Sequence, residues 1–267
     1  MKKRFGQNLL TDKNHLKKIV NIIGLKKSDV VLEIGAGSGL LTLCLAEQAK
    51  KIFAVELERS ILKQLRDNLK KNSITNVQVV ETNILDLDFK KLIHESFKIV
   101  GNIPYNITSL ILLKIFGEID KPAPHLSSLQ DVFLMLQYEV AERVVAKPDT
   151  KAYSPLTLLV QYFSEPKILF KVPSGCFFPK PKVDSAFVQF VIRDKLPEIE
   201  NPAVLKSIIR TGFQQRRKKL VNGLSKLFSS KEKAISIFKN LEFDLNLRAE
   251  NLRMKDYIAL ADAFIHQ

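Results

Sequence analysis

The chain has 267 residues, of which 46% are hydrophobic and 26% charged, close to the globular average, so it can bury a sizeable core and is not globally disordered. No run approaches the ~18 uninterrupted apolar residues of a membrane span, the basic N-terminus leads into no apolar signal core, and the two cysteines, Cys44 and Cys176, form no C-x-x-C pair. These features argue against a disulfide scaffold or a secreted protein and predict a cytoplasmic chain of one large domain, or one with a smaller appendage.

The net charge of +14 sits in two blocks. Residues 1–30 hold eight basic and two acidic residues, residues 201–233 hold nine and one, and the rest of the chain is neutral overall. That arrangement fits a polyanionic partner touched by a leading arm and a late segment, or a solvated lysine-rich face.

In chain order, residues 30–34 (V-V-L-E-I) form an apolar strand that runs into G-A-G-S-G and a helix at 40–46. A strand at 52–56 and a helix at 59–71 follow. Strands at 77–80 and 97–100 flank a short helix at 86–94, and a helix at 108–116 precedes a strand at 131–136. Nearly all-apolar strands alternating with helices predict an α/β fold, with a parallel sheet covered on both faces. A helix at 153–163 then leads to strands at 167–172 and 185–192, which would close the sheet as an antiparallel edge around the proline-rich loop 173–181. Beyond a linker at 195–202 only helical patterns remain, at 203–215, 217–228, 231–239 and 251–264. The expected organisation is a domain over 1–194 and a small all-helical domain over 195–267.

The loop E-I-G-A-G-S-G, residues 33–39, lies between a strand and a helix, where glycines let a ligand approach main-chain N–H groups. Its spacing is not the G-x-G-x-x-G of dinucleotide folds. Glu56 ends the next strand, 17 residues after Gly39, where a carboxylate can accept from a ribose diol. Together these features resemble the first two motifs of Rossmann-like class I methyltransferases, which bind S-adenosylmethionine. A glycine turn with no ligand is the alternative.

The fourth strand ends in G-N-I-P-Y-N, residues 101–106. N-[IL]-P-Y at that place is similar to the motif of enzymes that methylate amino nitrogens. An exocyclic purine amine is a poor nucleophile because its lone pair is delocalised into the ring. Hydrogen bonds from it to the Asn102 side-chain oxygen and the Ile103 carbonyl favour the pyramidal form that attacks. Pro104 removes a backbone donor, and Tyr105 supplies a ring for the base. In residues 173–185, P-S-G-C-F-F-P-K-P-K-V-D-S, Phe177 is expected to sandwich an extruded base against Tyr105, with Lys180 and Lys182 near phosphates. Burial of both phenylalanines in a hinge is the competing reading.

With R-F-G-Q-N-L-L at 4–10, F-x-P-x-P-K-V-D-S at 177–185, F-x-Q-R-R-K-K-L at 213–220 and R-A-E at 248–250, the chain resembles the KsgA family of ribosomal small-subunit RNA adenine dimethyltransferases over about residues 3–260. The resemblance implies N6,N6-dimethylation of two adjacent adenosines in the terminal hairpin of small-subunit (16S) RNA within a partly assembled 30S-type particle, by a monomer that uses S-adenosyl-L-methionine. It carries cofactor contacts onto Asn8, Leu10, Gly35, Gly37, Glu56, Asn83 and Asn102, and target-base roles onto Asn102, Tyr105 and Phe177. The family usually has Asp where Asn83 stands, so either the amide oxygen of Asn83 or the carboxylate of Asp86 meets the cofactor's adenine. Lys3 and Arg4 of the arm, with Arg216, Arg217, Lys218 and Lys219, are the expected phosphate contacts.

The four histidines, His15, His94, His125 and His266, show no metal-ligand spacing, and no metal is expected. Cys44 reads as core and Asp12 as a helix cap. Three rivals remain: a resistance methyltransferase acting on large-subunit (23S) RNA, an assembly or transcription factor that keeps the fold without turnover, and a nicotinamide oxidoreductase. The V-D-S and Q-R-R-K-K segments favour the small-subunit enzyme.

Overall fold

The computed structural model describes residues 8–266. The chain begins with a two-residue strand β1 (Leu9–Leu10) and helix α1 (Lys13–Ile23). Asp12 caps α1, its Oδ1 accepting from the His15 backbone N–H at 2.8 Å. There follow β2 (Val30–Ile34), α2 (Leu40–Ala46), β3 (Lys51–Glu56), α3 (Arg59–Lys71) and β4 (Val77–Glu81). After them come α4 (Phe89–Leu92), β5 (Phe97–Asn102), α5 (Thr108–Phe116), a hairpin of β6 (Gly117–Glu118) and β7 (Lys121–Pro122), β8 (Leu129–Gln137), α6 (Tyr138–Val144) and α7 (Pro155–Phe163). Strands β9 (Ser164–Val172), β10 (Phe177–Phe178) and β11 (Ser185–Ile192) complete the β structure.

Seven strands form one sheet in the order β4-β3-β2-β5-β8-β11-β9. The pairs β3/β4, β2/β3, β2/β5 and β5/β8 are parallel, and β11 runs antiparallel to β8. Every residue of β2 is buried, as an apolar strand covered on both faces requires. The order turns back between β2 and β5, so a crevice opens there beyond the strand carboxyl ends. Separately, β1 pairs antiparallel with β10, placing Leu10 opposite Phe177 and Leu9 opposite Phe178. Two-residue strands carry no periodic signal, so this ladder has no trace in the sequence pattern.

The helical part contains α8 (Pro202–Gln214), α9 (Leu220–Leu224), α10 (Lys231–Asn240) and α11 (Met254–Ile265). The helix expected over 217–228 shrinks to the five residues Leu220–Leu224, with turns on either side. The chain divides into two compact units, and two segments earlier in the sequence group with the C-terminal helices. Among the described residues, unit one comprises 8–115, 123–141 and 165–192, and unit two comprises 116–122, 142–164 and 193–266. The segment with α7 joins the C-terminal helices because Tyr153 is buried among them, its hydroxyl donating to Leu252 O at 2.9 Å and its ring 6.3 Å from Phe213. Among the described residues no helix is long and apolar enough to cross a membrane.

Candidate active site

The glycine loop is shaped by strand β3. Gly35 and Ala36 both donate to Val55 O, at 2.9 and 3.1 Å. Gly37 has φ +57°, a conformation that strains any larger residue, and a Cβ there would stand 2.6 Å from Leu9 Cδ2 and displace the tip of that side chain. The Gly37 N–H donates to Glu56 Oε2 at 2.9 Å, and Glu56 Oε1 accepts from the Leu57 and Glu58 amides at 2.8 and 2.9 Å. This buried carboxylate therefore couples the glycine loop to the end of β3.

Two clefts share Gly35. The first is lined by Leu9, Leu10 and Leu16 from the arm and α1, by Glu33, Ala36 and Ser38 near the glycine loop, and by Asn102. The second, of about 230 Å³, is lined by Glu56, Leu57, Asn83, Ile84, Pro104 and Ile107 among others. Asn83 faces this cleft and Asp86 is not among its lining residues. The Asn83 side-chain oxygen accepts from the Leu85 N–H at 3.1 Å.

Glu33 is 1% exposed, and its Oε2 has no hydrogen-bond partner. Burial pushes its carboxyl up to about 7, the Glu56 carboxylate adding to the rise. The Thr42 hydroxyl opposes the rise but lies outside hydrogen-bond geometry, since its own oxygen is also unpartnered.

Asn102 donates from Nδ2 to Asn8 O at 2.7 Å. Only the NH₂ end can face a carbonyl, so this bond fixes the flip of the amide and turns Oδ1 away as an acceptor. Ile103 is buried, and the Tyr105 hydroxyl bonds Ser185 Oγ at 2.5 Å. Burial raises the Tyr105 hydroxyl, with the Ser185 bond pulling the other way. The V-D-S segment, a family marker in the sequence, thus has structural work: Asp184 Oδ1 accepts from Ser174 N at 2.9 Å, and Ser185 holds Tyr105.

Two expectations change. Phe177 is 3% exposed and belongs to the hydrophobic core cluster with Leu10, Val172 and Phe187. It offers no ring face to a base in this arrangement, because the β1–β10 ladder seals it in; the exposed ring of the loop is Phe178, at 64%. Lys180 and Lys182 are both exposed along that loop. In unit two, Arg216 pairs with Glu250 through its Nε and donates to Lys151 O at 2.7 Å and Thr150 O at 3.2 Å, whereas Arg217, Lys218 and Lys219 take no part in that network. Arg216 therefore holds its own unit together. Lys3 and Arg4 lie outside the described residues.

Comparison with known proteins assigns the chain. The family model described as ribosomal RNA adenine dimethylase matches residues 1–266. The chain belongs to that family. It is a methyltransferase, and the nicotinamide alternative falls. Relatives named ribosomal RNA small subunit methyltransferase A include one from Francisella tularensis subsp. novicida, 36% identical over 98% of this chain and 96% of its own length. Another, from Acaryochloris marina, is 37% identical over the same shares. A crystal structure of a dimethyladenosine transferase from Plasmodium falciparum superposes with a TM-score of 0.81, at 25% identity over 97% of this chain and 98% of that one. The 23S rRNA methyltransferase ErmE, at 24% identity and a TM-score of 0.75 over 97% of this chain and all of its own, shares the fold. The Rossmann-like sheet with a helical C-terminal region is thus the architecture of the family.

Proposed function

We propose that the protein transfers methyl groups from S-adenosylmethionine to the N6 nitrogens of two adjacent adenosines in small-subunit ribosomal RNA, acting in the cytoplasm as a monomer on a partly assembled particle. The observation that carries the chemistry is Asn102, whose amide is locked with its oxygen outward by the Asn8 carbonyl. The small-subunit choice rests on the names of relatives more than one-third identical over nearly the whole chain.

The residues present fit the cofactor. Glu33 supplies an unpartnered buried carboxylate oxygen in the first cleft, suited to an ammonium group. Glu56, held by three backbone amides, suits a ribose diol in the second. Leu57, Ile84 and Ile107 offer apolar walls for a purine, and Asn83 its polar edge. When bound, S-adenosylmethionine supplies a methyl group on a cationic sulfur.

Asn102 Oδ1 and the Ile103 carbonyl would accept the two N–H bonds of the target amine, which would favour keeping its lone pair on nitrogen. Pro104, lacking an N–H, leaves the turn presenting acceptors. No general base is needed before attack, since the nitrogen becomes acidic as it is alkylated. Arg217, Lys218 and Lys219 in one unit, and Lys180 and Lys182 in the other, supply cations for phosphates without reading sequence.

The test supplies labelled S-adenosylmethionine with undermethylated small subunits, large subunits or free RNA, and maps the product. Label on small-subunit adenosines, lowered by about 10²–10³-fold in Asn102→Ala, is expected from removal of one preorganised polar group. Label on large-subunit RNA, or an Asn102→Ala enzyme as fast as the parent, overturns the reading.

A further inference from the structure

We propose that Asp12, His15 and Cys176 form a zinc-type cation site that ties the first helix to the proline loop. His15 Nδ1 lies 2.7 Å from Asp12 Oδ1 and 3.5 Å from Cys176 Sγ. The ligand atoms of all three residues lie within 4.8 Å of one another, the one such group of three among the described residues. A ring hydrogen on Nδ1 can serve only one of its two neighbours, and once the Cys176 thiol gives up its proton three lone-pair atoms converge on one point. A metal ion satisfies all three.

The ligand chemistry selects the ion. Thiolate, imidazole and carboxylate are the groups zinc takes, and the sulfur excludes magnesium and calcium as natural occupants. Bonds of about 2.3 Å to sulfur and 2.0–2.1 Å to nitrogen, at a tetrahedral angle, separate the two ligand atoms by about 3.5 Å. That is the separation already present between His15 and Cys176. The Asp12 oxygen must swing out by roughly 0.7 Å to match, and its side chain, 37% exposed, has room to do so.

The backbone preforms the group. Thr11 and Asp12 amides both point at Cys176 O, at 3.0 and 3.4 Å, and Asp12 caps His15. Binding sends the thiol proton to solvent and leaves the ring hydrogen on Nε2. The fourth position is left to water. Because Leu9, Leu10 and Leu16 line the first cleft, a cation here fixes the wall against which the cofactor would lie.

The experiment strips the full-length chain with a chelator and titrates it with Co²⁺. A thiolate-to-cobalt charge-transfer absorption that saturates at one equivalent and is displaced by Zn²⁺ is expected. Cys176→Ser should abolish that absorption and weaken zinc binding about tenfold or more, His15→Gln should weaken both, and Cys44→Ser should change neither. Chelated Cys176→Ser and chelated wild type should melt together, which separates a missing ligand from a damaged fold; if they do not, His15→Gln carries the test. The proposal is overturned by a wild-type protein without sulfur charge transfer at saturating cobalt, by absorption that survives both substitutions, or by absorption that vanishes with Cys44.

Discussion

The glycine loop and the proline loop are both rigid, but they are held in opposite ways. The glycine loop is fixed by Val55 O, Glu56 and the Asn68 amide, no more than 30 positions away along the chain. The proline loop is held from across the sequence: Thr11 N reaches Cys176 O at 3.0 Å, Ser185 holds Tyr105, and β10 rests on β1. Local backbone demands leave a short motif, and distant partners leave isolated residues whose purpose shows only when the chain is folded.

The largest effect expected from that contrast is on stability. Phe177→Ala should cost about 3–5 kcal/mol in denaturant unfolding, as truncation of a buried phenylalanine does. Phe178→Ala should stay within about 0.5 kcal/mol while lowering methyl transfer if the exposed ring meets the base, a stacking worth about 1–3 kcal/mol. A stable Phe177→Ala protein that cannot turn over would restore Phe177 to the base.

Two buried groups next set opposite slopes of stability against pH. Glu33 keeps its proton in the fold up to about 7, against 4.5 for the ordinary carboxyl. The fold binds the extra proton between those values, so the stability Glu33 confers below pH 4.5 is lost as pH rises through 7. His125, buried against Phe89 at 4.5 Å between ring centroids, is pushed down by desolvation to about 4 from 6.5. Its contribution is present above 6.5 and lost as pH falls through 4. Each amounts to about 3 kcal/mol at most, and in the wild type they largely cancel between pH 4.5 and 6.5. Glu33→Gln should therefore leave stability rising with pH over that window, and His125→Gln should leave it falling. Parallel curves for the two variants would contradict the burial assigned to one of them.

Smaller again is Ser185→Ala, which removes the partner of the Tyr105 hydroxyl. A cost of about 1 kcal/mol is expected, seen as a several-fold fall in kcat with cofactor affinity kept. An unchanged rate would mean that Ser185 only packs.

Much of this molecule was legible from residue order. The strand–helix alternation, the glycine loop, Glu56 and G-N-I-P-Y-N all express constraints that operate over a few residues, and each falls where the pattern put it. What stayed hidden has a common cause. Phe177 and Phe178 alternate across a two-residue strand, so only the ladder with Leu9 and Leu10 tells which ring is covered. His15 and Cys176 stand 161 positions apart, and spacing rules could not pair them. The segment 142–164 joins the C-terminal helices through Tyr153, whose hydroxyl reaches Leu252, 99 positions on.

The basic turn at 216–219 carries the same lesson and the smallest expected change at any one condition. Four consecutive cations look equivalent in the sequence, but Arg216 is committed to Glu250 and two carbonyls while its three neighbours stand outside that network. Substituting Arg217, Lys218 and Lys219 by Gln should lower the slope of log affinity against log salt by about 0.7–0.9 for each phosphate they would otherwise neutralise, leaving the melting temperature unchanged. Arg216→Gln should do the reverse, because Glu250 is left half-buried without its cation. Measuring RNA affinity at several salt concentrations alongside thermal unfolding separates the two. If Arg216→Gln flattens the salt dependence as strongly as the triple substitution and melts like the parent, then its guanidinium exchanges Glu250 for phosphate when RNA arrives, and the inward ion pair describes the free protein alone.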